Sequence, residues 1–178
     1  MLGKGKGQEM RKIMLLLTMA MVLLLTNGMC EAADKRIPVI STEEVSIGGI
    51  TVGTSEEEVK EIYGEPSAEE DMPGPSAWGG PTRKSLYGDS FEITYAMSIG
   101  KAVVIKSTAN NGLTSGGGFS VGDKIHSVLA KYGNGWHGGF KDKQGRPLKM
   151  MMYRSSRNVI IRFSYDDNMT ITEISCFS

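Results

Sequence analysis

Gly49-Ile50-Thr51-Val52-Gly53-Thr54, running on through Val59 to Tyr63-Gly64, is written a second time as Gly118-Phe119-Ser120-Val121-Gly122-Asp123, running on through Val128 to Tyr132-Gly133. The offset is 69 throughout, and six of the sixteen aligned positions are identical: Gly49/Gly118, Val52/Val121, Gly53/Gly122, Val59/Val128, Tyr63/Tyr132 and Gly64/Gly133. Self-similarity at a fixed spacing reads as one supersecondary unit used twice. Within each copy the apolar residues recur at three and four (Val59, Ile62, Tyr63; Ile125, Val128, Leu129, Tyr132), which predicts a short helix with one buried stripe. Thr54 with Glu57 three residues on spells a capping box for the first helix, and Asp123 stands at the same place before the second. Glu56, Glu57 and Glu58 fall at the positive end of the first helix, where their charge is favoured, and read as a solvated turn. Gly64 and Gly133 are predicted to end the helices as left-handed caps, with Pro66 close behind the first.

Downstream of each helix the period changes to two. Phe91, Ile93, Tyr95 and Met97 alternate with Glu92 and Thr94, as Val159, Ile161, Phe163 and Tyr165 do with Arg162 and Ser164. A further strand follows in each copy, at Val103, Ile105, Ser107 and at Thr172, Ile174, Cys176, and an earlier one ends at Leu86-Tyr87 or Met152-Tyr153. The turns between them fall at Ser98-Ile99-Gly100 and Asp166-Asp167-Asn168. One helix and a meander of three strands, twice, predicts an α+β fold of two tandem αβββ repeats, antiparallel sheets with a helix packed on one face of each. The expected organisation is a secretory signal peptide over 1–32, a linker over 33–47, the first repeat over 48–112 and the second over 113–178.

The signal follows from the first residues: Met10-Arg11-Lys12 begins a basic stretch, and Ile13 to Leu25 is an apolar run of 13 residues broken only by Thr18. Cys30-Glu31-Ala32-Ala33 then offers small residues for a peptidase. Thirteen residues fall well short of the roughly 20 that a membrane-spanning helix needs. A lipid anchor on Cys30 is the alternative, but Met29 is large where a lipoprotein signal wants a small residue. Removing 1–32 leaves 16 basic and 18 acidic side chains, a net charge of −2 that provides no basic field for nucleic acid. Cys176, in an alternating strand pattern, reads as a small buried apolar residue.

With one sheet face covered by helices, the other shows Glu92, Thr94, Ile160, Arg162 and Ser164. The loops Trp78-Gly79-Gly80-Pro81 and Trp136-His137-Gly138-Gly139-Phe140 put a tryptophan beside paired glycines in each copy, and aromatic anchors on adaptable loops are a frequent interface device. Trp78, Trp136, His137, Phe140 and Arg162 are therefore the candidate partner-binding residues. No catalytic residue, cofactor or metal is expected. His126 and His137 are the two histidines, and neither has a second ligand at zinc spacing. Met150-Met151-Met152 would alternate faces in a strand and cannot converge on one ion. Gly118-Phe119-Ser120-Val121-Gly122 spells a nucleophile elbow, but the repeat explains the spelling and Thr114-Ser115-Gly116-Gly117 before it is no buried strand. Asn168-Met169-Thr170 is a sequon in a hairpin turn.

The string from Ile50 to Pro66, with Tyr87 and the Phe91–Tyr95 strand, resembles the repeated unit of small exported bacterial proteins, the SmpA/OmlA-like outer-membrane assembly lipoproteins and the β-lactamase-inhibitor-like fold. The tandem copy is closer to the inhibitor-like arrangement, although one helix stands in each unit where the inhibitor has a helical hairpin. That resemblance implies action by protein contact through a sheet face and its loops. The expected function is an exported, periplasmic or secreted, non-catalytic module that binds an extracytoplasmic protein. The alternative is a small-ligand or cell-wall-binding module using the cleft between the repeats, with Gly116-Gly117-Gly118 as a hinge. A hydrolase built on Ser120 is the third and weakest reading.

Overall fold

Alternation of apolar and polar side chains does build the strands, and their edges decide the fold. The computed structural model describes residues 36–74, 78–137, 141, 145, 147 and 149–178. Seven strands, β1 (Ala68–Met72), β2 (Thr82–Tyr87), β3 (Phe91–Ala96), β4 (Lys101–Ser107), β5 (Met150–Arg154), β6 (Ile160–Tyr165) and β7 (Ile171–Phe177), form one sheet in the order β1-β2-β3-β4-β7-β6-β5. Every pairing is antiparallel. Among the described residues two short helices accompany it, α1 (Glu56–Tyr63) and α2 (Ile125–Tyr132), with a 3-10 turn at Thr42–Glu44.

The expectation of two tandem αβββ repeats, each a sheet carrying its own helix, is overturned. The protein is mostly sheet, and the sheet is single. Two meanders would each leave one strand's N–H and C=O groups open to any neighbour. Here β4 and β7 close on each other through Val104↔Phe177, Ile105↔Cys176, Lys106↔Ser175 and Ser107↔Ile174. The helices are minor partners: α1 buries Val59, α2 buries Ile125 and Val128. The core is built largely from sheet side chains, with Ile93, Ile105, Ile161, Phe163 and Cys176 at 0% exposure and Tyr153 fully buried beside them, and Val45, Ile47, Ile50, Phe119 and Val121 join it from the segments before the helices.

Helix starts and stops also differ in detail. Ser55, not Thr54, caps α1: its Oγ accepts from the Glu58 N–H at 3.3 Å while the Glu58 carboxylate accepts from the Ser55 N–H at 2.8 Å. Thr54 closes the turn before the helix by accepting from the Thr51 N–H at 3.2 Å, and Asp123 does the same for the Ser120 N–H at 2.7 Å. Gly64 and Gly133 have φ of 76° and 73°, as glycine allows, but with ψ of −163° and −166°. That region is open essentially to glycine alone, and it is not the left-handed helical cap.

β1 went unseen in the sequence because Ala68-Glu69-Glu70-Asp71-Met72 has no apolar alternation. It is held by partners on β2, with Lys84 to Glu70 at 2.6 Å and Arg83 to Asp71 at 2.9 Å. The charges blunt the outer edge of the sheet against further pairing. At the opposite edge, Val39 bridges Arg154 and Trp136 bridges Met152, so β5 is covered by segments from far apart in the chain.

Candidate binding face

Strand parity sends Met151 and Tyr153 of β5, Ile161 and Phe163 of β6, and Ile174 and Cys176 of β7 into the core. Their neighbours must then face the other way. Two registered rows cross that second face. One runs Glu70, Lys84, Thr94, Val104, Phe177, Ile160, Arg154; the other runs Leu86, Glu92, Lys106, Ser175, Arg162, Met152. Val104, Phe177 and Ile160 are thus an apolar centre flanked by ion pairs, Lys106 to Glu92 at 3.0 Å and Arg162 to Glu173 at 2.6 Å. The face is less open than the sequence suggested: Thr94 and Ser175 are buried, and Glu92, Ile160, Arg162 and Ser164 are half-buried.

Toward β5 the face deepens into a cavity of about 420 Å³ walled by Trp136, Met150, Met152, Ile160 and Phe177, with Arg162 at one side. Ile37 and Lys141 complete it. The Trp136 backbone N–H donates to the Met152 carbonyl and the Met152 backbone N–H to the Trp136 carbonyl, both at 3.0 Å, which sets the Trp136 backbone beside β5. Arg162 lies with its guanidinium carbon 5.6 Å from the Phe177 ring centroid, a cation–π arrangement. One of its donors is engaged by Glu173, while its Nε–H is buried without a hydrogen-bond partner among the described residues. A buried donor left over in an apolar wall is costly until something accepts from it. The cavity therefore suits an apolar or aromatic side chain that brings an oxygen acceptor with it.

The five candidate residues do not converge as a set. Trp136 and Arg162 meet in the cavity, and His137 is exposed next to Trp136. Phe140 lies outside the described residues, as do Gly138, Gly139, Cys30 and the predicted signal peptide. Trp78 stands apart: half-buried after β1, its Nε1–H donates to the Ser178 carbonyl at 3.3 Å, pinning the residue that follows Phe177. The two tryptophans are not equivalent, since the position 69 residues before Trp136 is Ser67, whose N–H donates to the Leu86 carbonyl at 2.7 Å. Sequence reasoning missed Met150, Met152, Phe177, Ile37 and Lys141. The signal for the two methionines was available, because their parity is opposite to that of core Met151.

Ser120 does not stand on an elbow: no strand lies between Ser107 and Ile125, and its own N–H is tied to Asp123. Met150 and Met152 face away from Met151, as a strand requires. Among the described residues no group of three His, Cys, Asp or Glu is placed to hold a metal ion, and no helix is long and apolar enough to cross a membrane. Burial pushes the Cys176 thiol well above its usual range.

The fold defines an antiparallel one-sheet class, and one solved structure shares it: an extracellular protein containing a SCP domain from Bacillus anthracis str. Ames, with a TM-score of 0.52 at 14% identity over 71% of this chain. The chain spans 44% of that protein's length, and at this identity the likeness concerns the fold alone. No family model and no curated protein matches the chain.

Proposed function

We propose that the chain is an exported, non-catalytic module that binds another extracytoplasmic protein through the second sheet face, with the Trp136–Arg162 cavity receiving an anchor side chain. The observation that carries this reading is the cavity itself, an indole, two methionines and a phenylalanine around a guanidinium whose Nε–H has no acceptor among the described residues. Interfaces concentrate their energy in such places, where aromatic and arginine side chains meet in a desolvated pocket. Export rests on the basic stretch and apolar run over residues 10–25. The likeness in fold to an extracellular protein agrees with it.

Affinity capture of partners with the exported protein tests the reading. Trp136→Ala and Arg162→Ala, each folded by circular dichroism, are expected to lose one specific protein that wild type and Trp78→Ala retain. Retention by all four proteins would place the interface elsewhere, and capture of nothing specific would remove the protein-binding reading.

A further inference from the structure

Tyr63 and Tyr132, 69 residues apart, hold the same pose. The Tyr63 hydroxyl donates to the Gly48 carbonyl at 2.6 Å, and a Cβ added to Gly48 or to Gly117, its counterpart 69 residues on, would strike the respective tyrosine hydroxyl. Each ring packs on the tyrosine of the neighbouring strand, Tyr63 on Tyr87 at 5.7 Å and Tyr132 on Tyr153 at 5.2 Å.

What covers the two rings is different. Over Tyr132 the chain supplies its own ammonium: Lys131 Nζ lies 5.3 Å from the ring centroid, paired with the Glu44 carboxylate at 2.6 Å and donating to the Gly117 carbonyl at 3.0 Å. Over Tyr63 the corresponding residues are Ile62, which is 60% exposed, and Leu113, so neither the amine nor its carboxylate is present. Tyr63 and Leu113 instead line an open cavity of about 510 Å³. Its floor is the cluster of Tyr63, Tyr87 and Phe91, with centroids 5.2 to 6.1 Å apart, and its rim carries Asp89 and Glu65 with no basic residue among the lining side chains. Glu65 is met by Lys60 at 3.1 Å, but Asp89, exposed in the turn between β2 and β3, has no hydrogen bond or ion pair among the described residues.

We infer that the cavity over Tyr63 binds an organic ammonium group, seated on the Tyr63 ring and paired with Asp89, the place that Lys131 and Glu44 fill from within over Tyr132. An aromatic face with a nearby carboxylate attracts such a cation, and more strongly when water is excluded. The site is separate from the Trp136 cavity and does not depend on the reading of it. The ammonium comes from a lysine side chain or from a quaternary amine, and the probes separate the two.

The test is a titration of the whole exported protein, followed by amide and tyrosine NMR shifts, with Nα-acetyl-lysine methylamide, choline, and their neutral counterparts Nα,Nε-diacetyl-lysine methylamide and 3,3-dimethylbutanol. Saturable shifts at Tyr63 and Asp89 are expected with at least one of the cations and neither neutral compound. The tighter cation identifies the source. Asp89→Asn, in an exposed turn, is expected to weaken binding about threefold or more with its melting temperature unchanged. Ile62→Lys, which installs an amine where α2 has Lys131, is expected to abolish binding by filling the site, and Trp136→Ala to leave it intact. Equal binding of the neutral compounds, no saturable shift with either cation, or unchanged affinity in Ile62→Lys would each overturn the inference.

Discussion

Ile105→Ala, in the middle of β4, tests whether the sheet holds as one unit. Ile105 is fully buried and lies opposite Cys176 across the β4–β7 seam, with Ile93 on its other side. The change removes three carbons, which at about 0.8 kcal/mol each gives about 2.4 kcal/mol of lost transfer energy. Incomplete collapse around the vacated space raises the cost to about 3.5 kcal/mol, inside the range of about 2–5 kcal/mol for such truncations. At about 2–4 °C per kcal/mol for a domain of this size, the melting temperature should fall by about 7–14 °C. The Trp78 indole is bonded to Ser178 just past β7 and Trp136 is bonded to β5, so Trp78→Phe and Trp136→Phe backgrounds leave one indole to report the β5 edge and the other to report the seam side of the sheet. Fluorescence melts in both backgrounds should move together by that amount when Ile105→Ala is added. Lys106→Ala, one residue along and facing the other way in a half-exposed ion pair with Glu92, should cost under about 1 kcal/mol. A Trp78 transition that drops while the Trp136 transition stays would mean that the β4–β7 seam does not couple the strands, and would refute the reasoning.

Three further outcomes follow from the same structure. Gly133→Ala should destabilise by about 1–3 kcal/mol, since φ of 73° with ψ of −166° is open essentially to glycine; an unchanged urea midpoint would contradict that backbone. Cys176, buried between β4 and β6 with its thiol pushed up by burial, should resist a thiol reagent until the protein unfolds, and fast labelling of the native protein would show that the seam opens. Burial raises the hydroxyls of Tyr63, Tyr87, Tyr95, Tyr132 and Tyr153 above the ordinary tyrosine range, Tyr153 to about 12. Above pH 10 the unfolded chain releases these protons while the folded chain keeps them, so stability present below pH 10 is lost progressively toward pH 12. Most of the tyrosinate absorbance should accordingly appear with unfolding, and full tyrosinate absorbance in the still-folded protein would disagree.

How much of this was legible in the sequence depends on the range over which each feature is encoded. Strands β3 and β6 were readable because Phe91, Ile93, Tyr95 and Ile161, Phe163 alternate locally with polar residues, and alternation is imposed by the pleat itself. Helix positions were readable from the stripe through Val59 and Val128, with the α1 cap misplaced by one residue because Thr54 and Ser55 are both competent. The seam was not legible: nothing in the alternation of β4 or β7 says which open edge it will meet, and the two separate sheets expected from the repeat failed there. β1 escaped for a related reason, since it has no apolar alternation of its own and its Glu70 and Asp71 find their partners, Lys84 and Arg83, on the neighbouring strand. Trp136 and Arg162 were singled out by residue type, yet the cavity that joins them needs Phe177 from β7 and Ile37 from the start of the described chain. Trp78 looked like their partner by loop spelling, and the backbone pairing of Trp136 with Met152 and the bond of the Trp78 indole to Ser178 separate the two.

The proposed binding face is tested most directly by site-specific photocrosslinking, with one crosslinking side chain replacing Ile160 at the cavity and another replacing exposed Ile62 on α1. The account predicts one extracytoplasmic protein captured from position 160 and lost when Trp136→Ala is added, with no such adduct from position 62. The same adduct from both positions, or its persistence in Trp136→Ala, would contradict it.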